Sequence, residues 1–193
     1  MKLNALLFAA LSLSAVSVAQ ADVKTSGFYV GGAIGSTGVD ASSDISINAD
    51  GSSYKFIGGY QFNRIVGIEA QYTRYGDITL PADKNTWSAS STAVTANLGY
   101  TFDNGLRPYG LIGLSSINLN ESKETLVDDQ GIALRAGVGL EYAPAMLNGL
   151  AFRLGYEMDY FGIQTQYSLF GSTVTEDVTY GISSLNLGVT YKF

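Results

Sequence analysis

Two carboxylates in the last third of the chain have a spacing that could support chemistry. Glu157 and Asp159 are two positions apart, and side chains at that spacing share one face of a β-strand. Such a pair can act as general acid and general base, but Arg135 and Arg153 favour a role in which the carboxylates balance buried positive charge. The chain contains no histidine, the residue type that most often serves as general base or transition-metal ligand. We therefore predict no enzymatic activity, no cofactor and no metal site.

These residues belong to a series of eight segments in which bulky apolar residues alternate with small or polar ones. The segments cover residues 26–36, 54–62, 65–75, 87–102, 107–119, 131–142, 150–161 and 179–193. A period of two is typical of β-strands. The bulky set is nearly continuous, whereas the other set is small or charged, which suits a narrow polar barrel interior and a lipid-facing exterior. We predict an all-β fold, an eight-stranded antiparallel transmembrane β-barrel.

The charged residues would then line the inside of the barrel. They are Lys55, Glu69, Arg135, Glu141, Arg153, Glu157, Asp159 and Lys192. If Tyr142 pairs with Leu150, Arg135 lies directly opposite Glu157, and Arg153 lies diagonal to Glu141. Such inward neighbours are close enough to interact, and buried charges need partners. The pattern predicts an ion-pair network that fills the interior; the alternative is a gate or selectivity ring in a narrow pore.

The fifth segment does not show one clear alternation. Tyr109 and Leu111 follow one phase, whereas Ile112 and Leu114 follow the other. An extra residue in one strand interrupts the regular alternation and bends the strand locally. We therefore predict a β-bulge near Gly113.

The connections between the segments alternate between short and long. The short ones are 63–64, 103–107 and 143–149, and the long ones are 37–52, 76–86, 120–130 and 162–178. Outer-membrane barrels have short periplasmic turns and long extracellular loops, which predicts that both termini are periplasmic. Five aromatic residues near the long connections are expected to form a belt at the membrane interface. They are Tyr54, Tyr75, Trp87, Tyr160 and Tyr180.

The four long connections are acidic. They contain eleven aspartate or glutamate residues against two lysines, a net charge of −9. Carboxylates are suitable ligands for Ca²⁺ or Mg²⁺, and the best candidates are the pairs Asp128–Asp129 and Glu176–Asp177. No segment has the spacing of an EF-hand loop, so the favoured interpretation is a solvated acidic surface.

The N-terminus has the features of a secretory signal peptide. Lys2 precedes an apolar run over residues 6–18, and Ala19-Gln20-Ala21 is a typical cleavage sequence. We predict a cleaved signal peptide over residues 1–21 and a barrel domain over residues 22–193. The remaining chain has 10 basic and 17 acidic residues, a charge of −7, which disfavours binding to nucleic acid. The chain has no cysteine, so no disulfide contributes to its stability.

The last strand ends in an aromatic stripe. Val189, Tyr191 and Phe193 share one face, and Asn186 and Gly188 lie on the other. The pattern is similar to the C-terminal insertion signal of bacterial outer-membrane barrels. The similarity implies that the barrel-assembly machinery binds the C-terminal strand.

This terminal signal and the alternation of short and long connections resemble the small eight-stranded outer-membrane barrels that include the OmpA transmembrane domain and the OmpX and Ail group. The resemblance covers the whole mature chain and implies a location in the outer membrane of a Gram-negative bacterium. Two features depart from it. We expect no peptidoglycan-binding domain after the barrel and therefore no OmpA-like wall anchoring, and the acidic loops disfavour an Ail-like adhesin.

The resemblance implies a small integral outer-membrane protein with a structural or surface-interaction role through its acidic extracellular loops. Its expected partners are outer-membrane lipid, lipopolysaccharide and an unidentified loop partner, and not nucleic acid. One alternative is a narrow porin-like channel gated by the inward arginine and glutamate residues. Another is a secreted soluble lipocalin-like carrier, which would require a largely apolar interior.

Overall fold

The computed structural model describes residues 23–41, 48–49, 51–80, 85–120, 130–169 and 172–193; the predicted signal peptide lies outside them. The strands are Gly27–Ala41 (β1), Asn48–Ala49 (β2), Ser52–Gln61 (β3), Val66–Arg74 (β4), Ile78–Leu80 (β5), Asn85–Trp87 (β6), Ser90–Gly99 (β7), Leu106–Asn118 (β8), Gln130–Tyr142 (β9), Leu150–Leu169 (β10) and Ser172–Lys192 (β11). Eight of them form a closed antiparallel barrel in the order β1-β11-β10-β9-β8-β7-β4-β3. This confirms the predicted all-β, eight-stranded fold.

Exposure alternates along the barrel strands because successive side chains point to opposite faces. In β4 the state switches between exposed and buried at every residue. The bulky apolar residues lie outside: Phe28 and Phe56 are each 68% exposed, and Ile132 is 78% exposed. A continuous apolar surface marks contact with a membrane or partner, and here it encircles the barrel as a lipid-facing band.

Short turns join the strands at one end of the barrel, which we call the turn end; the opposite end is the loop end. Between β7 and β8, Gly105 has a φ of 83°, and a Cβ there would lie 2.1 Å from the carbonyl oxygen of Ala143, so glycine is required. Between β9 and β10 the chain forms the 3₁₀ turn Ala145–Leu147, which ends at the left-handed residue Asn148. None of the helices in the described ranges is long and apolar enough to cross a membrane.

The loop end contains more strand than the sequence predicts. β10 and β11 continue as a hairpin until Leu169 pairs with Ser172, so the predicted long connection at 162–178 is wrong over most of its length. The segment contains three threonines and two valines, residue types that favour strands. The short strands β2, β5 and β6 form a separate three-stranded sheet.

The register between β9 and β10 differs from the predicted one by two residues. Tyr142 pairs with Phe152, not with Leu150, because the connection that contains the 3₁₀ turn takes up more residues than a tight turn would. A shift of two residues leaves every side chain on its original face. Its consequence is that Arg135 lies directly opposite Asp159.

Inward and outward side chains alternate without interruption along the whole of β8, so the predicted bulge near Gly113 is wrong. Its pairing with both neighbouring strands continues through Gly113 without an inserted residue. Tyr109, Leu111 and Ile117 all point inward and are at most 6% exposed. The large ring of Tyr109 fits because the opposite strand supplies glycine: a Cβ at Gly139 would lie 2.5 Å from it.

Candidate functional site

The barrel interior is the candidate functional site, because charged residues and tyrosines converge there. All eight predicted inward charges are at most 8% exposed: Lys55, Glu69, Arg135, Glu141, Arg153, Glu157, Asp159 and Lys192. Charges removed from water in this way need partners. Their contacts define successive layers along the barrel axis.

Arg135 and Asp159 form the centre of the polar layer nearest the loop end. Arg135 Nε donates to Asp159 Oδ1 at 2.8 Å, and Nη2 donates to Oδ2 at 2.5 Å. This two-pronged geometry is the strongest pairing of a guanidinium with a carboxylate. Tyr75 Oη and Ser115 Oγ also donate to the carboxylate, at 2.7 and 2.8 Å. The remaining guanidinium hydrogens reach the side chains of Gln71, Thr73 and Ser91.

Glu157 and Lys55 form a second ion pair beside this layer. Lys55 Nζ lies 2.7 Å from Glu157 Oε2, and Arg135 Nη1 lies 3.8 Å from the same oxygen. The predicted placement of Arg135 directly opposite Glu157 is therefore wrong: the two are diagonal, and their contact is secondary to the pair with Asp159. Glu157 and Asp159 each lie against a cation, the arrangement expected of carboxylates that balance charge.

Glu69 is the centre of the middle layer. Its Oε1 lies 2.9 Å from Arg153 Nη1 and accepts a hydrogen bond from Tyr29 Oη at 2.8 Å. Gln71 Nε2 donates to Oε2 at 2.8 Å, and Asn97 also donates to Glu69. These contacts connect β1, β4, β7 and β10 across the interior.

Tyr109 lies between the middle layer and the turn end. The guanidinium carbons of Arg153 and Arg107 lie 4.6 and 5.8 Å from its ring centroid, within the range of cation–π contacts. Glu141 is the direct cross-strand neighbour of both arginines. Its Oε2 lies 3.7 Å from Arg153 Nε, so the predicted diagonal placement of these two residues is wrong, although they do meet.

Lys192 lies at the turn end among neutral oxygens. Its Nζ donates to the backbone carbonyl of Lys24 at 3.2 Å and to the side-chain oxygen of Gln61. Arg107 is 2% exposed and is an interior cation absent from the predicted set. An uninterrupted alternation along β8 would have predicted Arg107 to be inward, because Arg107 shares a strand face with Tyr109. Among the described residues, the interior thus holds five cations, namely Lys55, Arg107, Arg135, Arg153 and Lys192, against four carboxylates.

An apolar layer covers the polar layers at the loop end. Its buried members are Tyr75, Ile78, Ala89, Ile117, Leu119, Ala133, Phe161 and Ile182, and Val39 and Tyr180 pack against them. Ile78 comes from the small sheet and Ile182 from the barrel wall, and both are fully buried. Phe161 and Tyr180 stack with their ring centroids 6.1 Å apart. Apolar side chains therefore close the interior on the loop-end side of the ion pairs.

The predicted outer aromatic belt is correct in part. Tyr54 and Tyr160 are 56% and 46% exposed and face outward. Tyr75 and Tyr180 belong to the inward apolar layer, so their assignment to the belt is wrong; the even spacing between Tyr75 and Glu69 was the signal of its inward position. The side chain of Trp87 lies outside the described residues.

The C-terminal strand carries its aromatic stripe outward. Tyr191 and Phe193 are 42% and 65% exposed, and their rings meet edge to face at 5.2 Å. Asn186 is buried, and its amide donates to Ser184 Oγ at 2.9 Å. Gly188 also faces inward, where a Cβ would lie 2.7 Å from the carbonyl oxygen of Gly32. Recognition of this strand by the assembly machinery stays a prediction.

Several charged residues lie outside the interior. Most of the acidic loop residues fall outside the described residues, but Asp77 is described and accepts a hydrogen bond from Ser88 Oγ at 2.8 Å. Within the ranges that the structure describes, no group of three or more acidic side chains could hold a metal ion. At the turn end, the hydrogen bond from Arg64 Nη1 to Asp103 Oδ1, 2.5 Å long, raises the pKa of the Arg64 guanidinium.

A closed antiparallel barrel with an apolar exterior and an interior of paired charges defines the class of integral outer-membrane β-barrels. The chain belongs to the outer membrane protein beta-barrel domain family, whose model matches residues 6–193. This confirms the resemblance to OmpA-type barrels and the location in the outer membrane. The soluble lipocalin-like alternative is wrong, because the bulky apolar face of the strands lies outside the barrel and the charges lie inside.

Comparison with individual proteins agrees with this family. Outer membrane protein A of Klebsiella aerogenes is 28% identical over 205 residues, which cover all of this chain and 56% of that protein; the chain thus spans about half the length of this curated relative. Neisserial surface protein A is 24% identical with a TM-score of 0.60, over 88% of this chain and 99% of that one. The N-terminal barrel domain of Pseudomonas aeruginosa OprF is 19% identical with a TM-score of 0.56, over 88% and 100%. The two solved structures show a shared fold.

Proposed function

We propose that this protein is a non-conducting outer-membrane barrel with a structural role, and that its acidic loops make its interactions at the cell surface. The observation that carries the proposal is the filling of the interior at successive depths. An apolar layer lies at the loop end, followed by the Arg135–Asp159 pair and then by the contacts of Glu69. Eight strands enclose a space that side chains just fill, so a water path requires several layers to rearrange.

The energetics favour the closed interior. A buried charge that is left without its partner costs about 3–5 kcal/mol. An open arrangement that left one interior charge unpaired would therefore be populated by less than about 1% of molecules, since 1.4 kcal/mol corresponds to about a tenfold change in an equilibrium constant. The apolar layer adds a second barrier, because narrow apolar constrictions exclude water.

Single-channel recording tests this proposal. The protein from residue 22 onward is folded into a planar bilayer, and folding is verified by its resistance to denaturation in an unheated SDS gel. We expect no reproducible conductance steps from the wild-type protein. A variant with Arg135→Ala, Arg153→Ala and Ile182→Ala, which removes a side chain from each of the three layers, serves as a control that such steps are detectable.

Reproducible steps from the folded wild type would overturn the proposal and favour the narrow-channel alternative. A change of those steps in Glu157→Ala, at unchanged folding, would then place the gate at the pair of Glu157 with Lys55.

The family's architecture supports an orientation with both termini and the short turns in the periplasm and the long connections outside the cell. In that orientation the apolar band contacts outer-membrane lipid. The acidic connections are then on the lipopolysaccharide side of the membrane, where divalent cations can bridge carboxylates to lipopolysaccharide phosphates. The outward stripe of Tyr191 and Phe193 is the surface that the barrel-assembly machinery would bind.

The surface role has its own test. A variant with Asp128→Asn, Asp129→Asn, Glu176→Gln and Asp177→Asn removes four loop charges, and Asp103→Asn removes one at the turn end as the control. Each protein is embedded in phosphatidylcholine nanodiscs and sedimented with lipopolysaccharide in Mg²⁺ or in EDTA. We expect Mg²⁺-dependent binding that the loop variant loses and the control retains; unchanged binding by the loop variant would contradict the proposal.

A further inference from the structure

The positive charge of the barrel interior is unevenly distributed. Toward the loop end, Arg135 and Lys55 face Asp159 and Glu157, so each cation has its own carboxylate. In the middle layer, Glu69 lies 2.9 Å from Arg153. The excess of five cations over four carboxylates therefore falls at the turn end.

Arg107 is the least compensated of these cations. It is 2% exposed, and within the described residues its Nε has no hydrogen-bond partner. Its Nη2 donates to the carbonyl oxygen of Ile65 at 3.4 Å, a long contact. Its cross-strand neighbour Glu141 lies 3.7 Å from Arg153 instead. The Nε hydrogen has no partner among the described residues, and Nη2 has a second hydrogen besides the one that it donates to Ile65, so these two hydrogens are available to a ligand.

Lys192 extends the positive cluster at the same end. Its Nζ contacts the neutral oxygens of Lys24 and Gln61, and the Lys24 ammonium lies 3.5 Å from the Lys192 carbonyl. Gln61 Nε2 in turn donates to Thr101 Oγ1 at 3.2 Å. The side chain of Arg107 lies beside Gly99, two residues before Thr101, since a Cβ at Gly99 would lie 3.1 Å from the Arg107 Cζ. Arg107 and Lys192 therefore flank one polar region at the mouth of the barrel.

We infer that this turn-end mouth binds a small soluble oxoanion of the phosphate class between Arg107 and Lys192. The edge of a guanidinium offers two parallel N–H donors that match two oxygens of an oxoanion, and an ammonium adds a point charge. Both side chains face the interior, whereas lipid phosphates lie outside the barrel wall, so the ligand comes from solution. Among the described interior charges, Glu141 and Lys192 have the largest exposed fractions, 7% and 8%, so a ligand would enter from the turn end. The site does not depend on whether the barrel conducts.

The test is a titration of the folded protein in dodecyl maltoside, a detergent without phosphate, with inorganic phosphate observed by phosphorus NMR. We expect saturable binding in the wild type. Arg107→Gln and Lys192→Gln should each raise the Kd about tenfold or more, because each removes a charge-assisted contact. Arg64→Gln is the matched control, since Arg64 is an exposed cation at the same end that is already paired with Asp103.

Three results would overturn the inference. The first is the absence of saturable binding in the wild type, which would mean that water and not an oxoanion is the hydrogen-bond partner of Arg107. The second is an equal loss in Arg64→Gln, which would show nonspecific attraction to surface charge. The third is competition by phosphatidylglycerol in mixed micelles, which would make a lipid headgroup the ligand. If Arg107→Gln does not fold, Arg107→Lys replaces it; it keeps the charge but removes the paired donors, and unchanged affinity in that variant would also contradict the inference.

Discussion

Asp159 on β10 lies directly opposite Arg135 on β9, and the two side chains form a two-pronged ion pair that is almost completely buried. Asp159→Asn would leave the guanidinium charge without its partner. We expect the free energy of unfolding to fall by about 3–5 kcal/mol. Equilibrium unfolding in urea, with the protein in lipid vesicles, measures this loss.

The same pair supplies two internal comparisons. Arg135→Met combined with Asp159→Leu removes both charges and should recover most of the stability lost in Asp159→Asn, because no buried charge is left unpaired. Asp103→Asn breaks the exposed pair with Arg64 and should change stability little, since water already solvates both groups. Equal stability of wild type and Asp159→Asn would show that the pair contributes nothing.

Glycines under the inward tyrosines permit the close packing of the interior. A Cβ added at Gly139 would lie 2.5 Å from the ring of Tyr109 and 2.6 Å from the carbonyl oxygen of Leu154. Gly139→Ala should therefore lower the free energy of unfolding by about 1–3 kcal/mol through overpacking. Gly58→Ala is the matched control, because a Cβ there meets no atom within 4 Å. The same urea titration measures both variants, and equal effects would refute the packing argument.

The faces of the strands could be predicted from the sequence, because alternation is a local property that tertiary contacts rarely override. Every charge predicted to be inward is buried. The assignment of Tyr75 to the outer belt rests on its aromatic character and is wrong; alternation alone would have placed it inward, six residues after Glu69. Its hydroxyl donates to Asp159, a partner that only the closed barrel brings into reach.

The register and the apolar layer could not be predicted in the same way. The register of β9 and β10 depends on how many residues the connection around Ala145–Leu147 takes up. Alternation cannot reveal a register shift of two residues, because such a shift leaves every side chain on the same face. The apolar layer needs Ile78 from the small sheet to meet Ile182 from the barrel wall. These two residues are distant in sequence, so no local sequence pattern could predict their contact.

The apolar layer should contribute more stability than the lipid-facing surface. Ile182 is fully buried inside the barrel, so Ile182→Ala leaves a cavity and should cost about 2–5 kcal/mol. Leu185, on the same strand, is 52% exposed on the outer face, where lipid chains can fill the space left by Leu185→Ala. Thermal unfolding in lipid vesicles compares the two variants. A larger loss in Leu185→Ala would mean that the interior layer is loosely packed.

The aromatic stripe of β11 makes a prediction about assembly. If the barrel-assembly machinery binds this strand, Phe193→Ala should reduce the amount of folded protein in the outer membrane and increase the unfolded protein in the periplasm. Phe62→Ala is the control, because Phe62 is also an exposed aromatic residue near the turn end, at 56%, but lies outside β11. Fractionation of cells that express each variant gives the result. Equal assembly of the two variants would argue against a signal specific to the last strand.

The absence of cysteine from the chain allows the orientation of the barrel to be measured with single introduced thiols. Asp77 is exposed at the loop end, and Met146 is 69% exposed in the turn between β9 and β10. Since long loops face outward and short turns face the periplasm in this family, a maleimide that cannot cross membranes should label Asp77→Cys on intact cells. Met146→Cys should react only after the outer membrane is permeabilised. The reverse order of labelling would place the termini outside the cell and would remove the acidic loops from the surface.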